Sequence, residues 1–277
     1  MAGSEIRLGL IGDNITASKA PLLHRLAGNL CDLTVTYDLL QPADLGRAFE
    51  DVFGHCQESG YRGLNITYPY KERAARCVRM EDPAVRPIAA CNTVLFGDAQ
   101  PRGYNTDYTG FIAAYRNRFG DAPPGHVALA GAGGVGRAIG FALIELGASG
   151  LRLFDREVAK SIALAEAIRS ARRHAQIELV DTIERAATGA DALVNATPVG
   201  MTGIGGSLFP PDLLKGHRWA FDAVYTPDDT PFMLAARAAG LATLSGYELF
   251  FYQGIDAFRH FTGCEVAEGP LRKALTS

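Results

Sequence analysis

A chain of 277 residues can form one large domain or two small ones and bury a sizeable core. Hydrophobic residues make up 48% and charged residues 21%, a globular balance that excludes a disordered chain. The formal net charge of -3 leaves no basic footprint for nucleic acid or an anionic membrane.

Residues 6–12 read as a buried strand and 21–30 as a helix opened by Pro21. Residues 35–40 are strand-like, 45–58 carry apolar residues at helical spacing, 63–67 form a short strand, and 71–77 begin a helix after Pro69. This alternation predicts a parallel or mixed sheet with helices on its faces. A helix over 110–119 ends at the Ala-Pro-Pro within 121–125. A second series follows, with strands at 127–131, 151–155, 177–180, 192–195 and 219–224. Its helices lie at 134–146, 158–173, 230–239 and 248–261. Strand–helix repetition with short connections predicts a doubly wound α/β fold. No internal repeat or low-complexity tract is present.

Gly131-Ala132-Gly133-Gly134-Val135-Gly136 places G-x-G-x-x-G directly after a strand and before a helix. Gly131 suits the tight turn, Gly133 lets the backbone approach a pyrophosphate, and Gly136 allows close helix packing. The N–H groups of the following helix then face the phosphates. The bland alternative is an ordinary tight turn; the strand–helix context favours the cofactor. Asp155 ends the next apolar strand, nineteen residues beyond Gly136, near the ~20 expected of the acid that binds an adenosine ribose. A carboxylate there accepts from the 2′ and 3′ hydroxyls and repels a 2′-phosphate, which favours NAD over NADP. The competing reading is a strand-end Asp that caps the next helix. Arg156 beside it could meet a 2′-phosphate. Asn195-Ala196-Thr197-Pro198-Val199-Gly200-Met201 follows another strand and suits a loop lying against a nicotinamide ring.

Three polar clusters stand at predicted strand ends in the first half. They are Ala17-Ser18-Lys19-Ala20-Pro21, Gly63-Leu64-Asn65-Ile66-Thr67-Tyr68-Pro69-Tyr70-Lys71, and Asn92-Thr93 followed by Gly103-Tyr104-Asn105-Thr106-Asp107. Each alone could be turn chemistry. Together they supply hydroxyls, amides, an ammonium and a carboxylate, a set suited to a polyol carrying an acid group.

These clusters, with Asp222-Ala223-Val224-Tyr225 and Gln253, give the chain a resemblance to the shikimate/quinate dehydrogenase family over nearly its whole length. The resemblance implies an αβ substrate-binding domain, a Rossmann-type dinucleotide-binding domain and a cleft between them. The corresponding boundaries are 1–107 plus 247–277 for substrate and 108–246 for NAD. It implies Lys71 and Asp107 as the catalytic pair, the carboxylate orienting the lysine and holding a substrate hydroxyl. It also implies Asn65, Thr67, Asn92 and Gln253 as binders of ring hydroxyls, and Ser18 and Tyr225 as holders of the substrate carboxylate. Gly131, Ala132, Gly133, Gly134, Val135, Asp155, Arg156, Asn195, Thr197, Pro198 and Gly246 would contact the cofactor. Oxidising a secondary alcohol removes a hydride and a hydroxyl proton, so a positioned amine or ammonium has a direct use. Lys71 taken singly reads as a solvated helix-start lysine; the motif around it reverses that.

The chain departs from the family at several positions. Ala20 stands where a second hydroxyl is usual, which removes a carboxylate hydrogen bond worth ~1.5–3 kcal/mol. Ala17 replaces the usual His, Asp13-Asn14 replace a Pro-containing opening, and Asp155-Arg156-Glu157 replace the Asn-Arg-Thr of NADP-using members. The tail after Gly263 is short. These changes suggest a divergent paralogue acting on shikimate, with quinate or an amino analogue (aminoshikimate, aminoquinate) as alternative substrates.

Two other readings compete. Another enzyme on the same fold, such as a methylene-tetrahydrofolate dehydrogenase or glutamyl reductase type, would not need the Asn65…Lys71 and Asn105…Asp107 motifs. A non-catalytic NAD-binding sensor would keep the glycine loop and Asp155 without needing Lys71 and Asp107 together. His24, His55, His126, His174, His217 and His260 show no metal-like spacing, and no metal is assigned. Phe250, Phe251, Tyr252 and Phe258 read as helix core. Cys31, Cys56, Cys77, Cys91 and Cys264 are odd in number and scattered, which fits a reducing compartment better than a disulfide framework. The opening Met-Ala-Gly-Ser-Glu-Ile-Arg has no leader-like apolar region, and no apolar run reaches the ~18 residues of a spanning helix. A cytoplasmic protein with a small ring hydroxy acid as partner is expected, with a homodimer the common default for oligomers.

Overall fold

The computed structural model describes residues 5–97 and 99–276. The expectation drawn from the opening residues falls partly outside them, on residues 1–4, as do positions 98 and 277. The described residues form two compact units: one runs to Thr106 and resumes at Gln253, the other is Asp107–Tyr252.

The first unit contains β1 (Ile6–Ile11), α1 (Ala20–Leu30), β2 (Val35–Leu40), α2 (Phe49–Glu58), β3 (Gly63–Ile66), α3 (Lys71–Cys77), β4 (Arg79–Met80), β5 (Thr93–Leu95) and β6 (Arg102–Tyr104). Its sheet order is β2-β1-β3-β5-β6-β4. β1 runs parallel to β2 and β3, whereas β5 pairs antiparallel with β3 and β6. The pleat sends alternate residues to opposite faces. Ile11, Leu64, Ile66, Val94 and Phe96 pack on one side with Phe49, Val52 and Phe53 of α2 and Ala74 of α3. The intervening positions Gly63, Asn65 and Thr93 therefore face the other way. There Gly63 lies close against Phe261, leaving no room for a Cβ.

The second unit contains α4 (Thr106–Phe119, its first residue belonging to the other unit), β7 (His126–Ala130), α5 (Gly134–Glu145), β8 (Gly150–Phe154), α6 (Val158–Ala171), β9 (Ile177–Leu179), α7 (Ile183–Ala187), β10 (Ala192–Asn195), β11 (Trp219–Asp222), α8 (Pro231–Ala238) and β12 (Ala242–Ser245). All six strands are parallel in the order β12-β11-β10-β7-β8-β9, the arrangement of doubly wound dinucleotide-binding sheets. Ala128, Ala130, Leu193 and Ala220 pack on α7 and α8. On the opposite face Phe221 and Trp219 meet Phe111 and Tyr115 of α4, and Leu129 meets the α5–α6 pair at Gly140. Two helices close the chain, α9 (Gly246–Thr262) and α10 (Glu268–Thr276). The boundary between the units falls inside α9.

Several elements differ from the sequence reading. The helix expected from residue 45 starts at Phe49, because residues 42–47 form turns around Gly46 at φ +60°. α4 starts at Thr106 rather than 110, because the Asn92 side chain on a separate segment accepts the Thr106 N–H at 2.7 Å. The strands β4, β5, β6 and β12 and the helices α7 and α10 were not expected. Each strand among them is only two to four residues long, defined by its neighbours rather than by its own pattern.

Candidate active site

At the carboxyl ends of β7 and β10 the second unit builds a loop pair. Gly131 sits at φ +100°, and a Cβ there would come within 2.7 Å of the Ala196 backbone. A Cβ on Gly136 would stand 1.9 Å from the Gly131 carbonyl oxygen, so helix and loop are in direct contact. Gly133, the residue before α5, differs: a Cβ there would meet no protein atom within 4 Å. The backbone before the α5 N-terminus is thus unobstructed by protein atoms at Gly133. Asp155 holds the loop from the next strand. Its Oδ2 accepts the Ala132 N–H at 2.7 Å and its Oδ1 the Glu157 N–H at 2.8 Å. A carboxylate offers about four acceptor positions, so these two bonds fix it while leaving capacity for ribose hydroxyls. Neither bond reaches an N–H within α6, which starts at Val158, so Asp155 does not cap that helix. Arg156 is exposed.

After β10 the Asn195 side chain shapes its own loop. Its Oδ1 accepts from the Thr197 N–H and hydroxyl at 3.0 and 2.6 Å, and its Nδ2 donates to Val199 O and Asp222 Oδ1, both at 2.9 Å. Asp222 also accepts from the Thr230 hydroxyl at 2.6 Å and the Val224 N–H at 3.0 Å. Burial pushes its carboxyl up to about 6, against these three bonds. Asp222 ends the buried strand β11, and a charged residue closing an apolar strand is the sequence signal that marks it. Tyr225 stacks on Phe250, with centroids 5.0 Å apart and planes at 18°. The Gly246 backbone lies against the Ala223 and Val224 carbonyls, where a Cβ would approach to 2.6 Å.

In the first unit, polar groups buried at the ends of β3, β5 and β6 form one network. Asn65 bonds to Tyr37, Asn92 O and Thr93; Asn92 bonds to Thr106; Thr106 reaches Gln253 at 3.5 Å. Asn65, Asn92 and Gln253, singled out in sequence, are thus brought together. Tyr37, Thr93 and Thr106 were missed as site residues, although the two threonines each follow a noted asparagine. The Ser18 hydroxyl oxygen accepts the Ala20 N–H at the start of α1, at 3.2 Å. The backbone N–H of Thr67 donates to Ile11 O, and the Thr67 methyl packs on Gly12. Lys71 opens α3 and is buried, and its carbonyl accepts the Cys91 N–H at 2.9 Å. Asp13, one of the departures from the family, accepts from the Tyr70 hydroxyl at 3.0 Å and donates its N–H to Tyr68 O at 2.9 Å. It thereby pins the segment leading into Lys71. Asp107 is buried in the first turn of α4, and with Tyr225 it belongs to the second unit.

His24 is buried against Tyr37 with a side-chain hydrogen bond to Asn65, and His260 stacks on Tyr104 with its Nε2 3.8 Å from Asp256 Oδ1. Phe250, Phe251, Tyr252 and Phe258 are buried helix residues, as expected. Among the described residues no group of three or more His, Cys, Asp or Glu is disposed to hold a metal, and no helix is long and apolar enough to cross a membrane.

Residues 10–94 match the family described as shikimate dehydrogenase substrate binding domain. Over 271 residues the chain is 36% identical to a quinate/shikimate dehydrogenase (NAD(+)) of Corynebacterium efficiens, covering 96% of this chain and 95% of the relative. It is 37% identical over 266 residues to a shikimate dehydrogenase (NADP(+)) of Streptomyces avermitilis, covering 93% and 90%. The fold matches that of quinate dehydrogenase from Corynebacterium glutamicum in complex with NAD, with a TM-score of 0.90, 32% identity and 99% of each chain covered.

Proposed function

Because the chain belongs to the shikimate/quinate dehydrogenase family, we propose that it is an NAD-dependent oxidoreductase interconverting shikimate, or a close ring analogue, and the 3-dehydro ketone. Quinate is the second substrate we propose, on the strength of the quinate-named relative and structure. We assign residues 1–107 with 247–277 to the ring acid and 108–246 to the dinucleotide.

The observation that carries the cofactor reading is Asp155, held by two backbone N–H groups beside the glycine loop. Its negative charge accepts ribose hydroxyls and opposes a 2′-phosphate. The open space over Gly133 and the N–H groups opening α5 would receive the diphosphate. Ala132, Gly134 and Val135 complete that loop, with Arg156 on the adenosine side and Thr197, Pro198 and Gly246 on the nicotinamide side. Asn195 acts by shaping the loop that holds Thr197 and Pro198. NAD, when bound, supplies the hydride acceptor.

Lys71 is the group proposed to exchange a proton with the reacting hydroxyl. As an ammonium it donates to the alcohol or ketone oxygen, and as an amine it accepts the hydroxyl proton. Asp107 is proposed to hold a substrate hydroxyl through its carboxylate. Asn65, Thr67, Asn92 and Gln253 read the remaining hydroxyls, and Ser18 and Tyr225 the ring carboxylate. Ser18 keeps its own proton for that carboxylate, since its oxygen is the acceptor toward Ala20. Ala20 supplies no second hydroxyl, so shikimate turnover with a raised KM is expected.

Initial rates with shikimate, quinate and aminoshikimate, each with NAD and with NADP, test this reading. A higher kcat/KM with NADP would overturn the cofactor assignment. NAD binding by calorimetry without turnover of any ring acid would replace the enzyme by a sensor. Lys71→Ala or Asp107→Ala is expected to lower turnover at least ~100-fold in a folded protein; near-normal turnover in either would remove that residue from the chemistry.

A further inference from the structure

Two backbone groups set the direction of the hydrogen bonds around Asn65 and Asn92. A backbone N–H only donates and a backbone carbonyl only accepts. The Thr106 N–H reaches Asn92 Oδ1 at 2.7 Å, so Asn92 Nδ2 lies on the other side and donates to Thr106 Oγ1 at 3.0 Å. The Asn92 carbonyl lies 3.4 Å from Asn65 Nδ2, so Asn65 turns its nitrogen toward β5 and its oxygen toward β2. There the Tyr37 hydroxyl donates to Asn65 Oδ1 at 2.9 Å. Asn65 Nδ2 also donates to Thr93 Oγ1 at 3.2 Å. The single proton of Thr93 then goes onward, to Thr106 Oγ1 at 3.1 Å or Asn92 Oδ1 at 3.3 Å. The single proton of Thr106 has Asn92 Oδ1 at 3.3 Å and Gln253 Oε1 at 3.5 Å as acceptors.

Little water reaches this chain of bonds. Thr93 and Thr106 are 0% exposed, Asn92 3% and Asn65 7%. His24 lies flat on the Tyr37 ring, 5.0 Å away at 15°, and burial keeps it neutral despite a side-chain hydrogen bond with Asn65, which adds a further partner to that amide. In a buried site an amide flip replaces an acceptor by donors and leaves groups unpaired, so closed networks of this kind enforce one arrangement.

We propose that Tyr37, Thr93 and Thr106 are positioning residues whose hydroxyls lock the amides of Asn65 and Asn92 in one donor–acceptor orientation and so decide which ring hydroxyl each amide can read. The proposal rests on the ring-acid reading above. Asn65 and Asn92 belong to the first unit, which is assigned to the ring acid, so the effect belongs in the KM for the ring acid.

Tyr37→Phe keeps the ring against His24, and Thr93→Val keeps the volume; each removes one hydroxyl. Each is expected to raise the ring-acid KM about tenfold, the size of one lost buried hydrogen bond. The KM for NAD stays unchanged and kcat within about threefold, and Thr93→Ser restores the wild-type KM. A ring-acid KM within about twofold of wild type in both variants overturns the proposal, as does a parallel loss in kcat and in the KM for NAD. Nitrogen-15 NMR of the protein without ring acid gives a second readout. The side-chain amide protons of Asn65 and Asn92 should exchange slowly in the wild type, and those of Asn65 faster in Thr93→Val. Rapid exchange in the wild type overturns the proposal whatever the enzyme turns over. Slow exchange with no ring-acid turnover upholds the locked amides and overturns the ring-acid reading instead.

Discussion

Asp222 lies fully buried at the end of β11, with three donors turned toward its carboxyl. Those donors favour the anion, yet desolvation outweighs them and raises the carboxyl from its ordinary 3.8 to about 6. A folded-state value above the unfolded one means the native protein gains from the protonated form. That contribution is complete below about pH 4 and disappears as the pH rises through about 6. Asp222→Asn imitates the protonated state and cannot ionise. The stability of wild type minus that of Asp222→Asn should therefore fall from pH 4 to pH 8, by at most ~3 kcal/mol. Urea unfolding of both proteins across that range measures it, and a pH-independent difference would show that Asp222 keeps an ordinary pKa.

At the level of elements, the strand–glycine-loop–helix unit separates two kinds of glycine. Gly136→Ala drives a methyl into the Gly131 carbonyl and should cost about 1–3 kcal/mol of stability by overpacking. Gly133→Ala meets nothing in the protein, so thermal unfolding should be unchanged while the KM for NAD rises at least ~10-fold as the diphosphate is crowded. Equal losses of stability in the two variants would argue against a cradle at Gly133. This loop was legible in the sequence because its function and its backbone geometry depend on the same three glycines. The apolar strands β7 and β10 were legible for a similar reason, since burial on both faces writes a continuous run. β5 and β6 were not: each is three residues long, and pairing with neighbouring strands, Asn65↔Thr93↔Tyr104 among the pairs, makes them strands. The start of α4 escaped notice because its N–H partner is Asn92, fourteen positions away.

For the whole molecule, the first unit depends on residues far along the chain. Gly254 packs on Leu23, Arg62 donates to the Phe261 carbonyl at 2.9 Å, and α10 packs on α1 with Leu271 fully buried. Leu271→Ala should destabilise the protein by ~2–5 kcal/mol, read from its denaturant midpoint; a change under about 0.5 kcal/mol would mean that the last helix is peripheral to the core. Asn65 and Asn92, which the structure joins in one network, were legible because they stand in short polar motifs. The hydroxyls that orient them were less visible, since a buried threonine beside an asparagine has no distinguishing local pattern.

The split of the first unit between the two ends of the chain also sets an order of events during synthesis. Residues 107–252 have all been synthesised before Gln253 and the helix segments that complete the earlier unit exist. The sheet formed by β1 to β6 must therefore wait, with Gly63, Asn65 and Thr93 uncovered by Phe261 and Gln253, while the later unit can already close on its own parallel strands. The portion made first is finished last, so the exposed face of that first sheet is where a nascent chain would most need protection from aggregation.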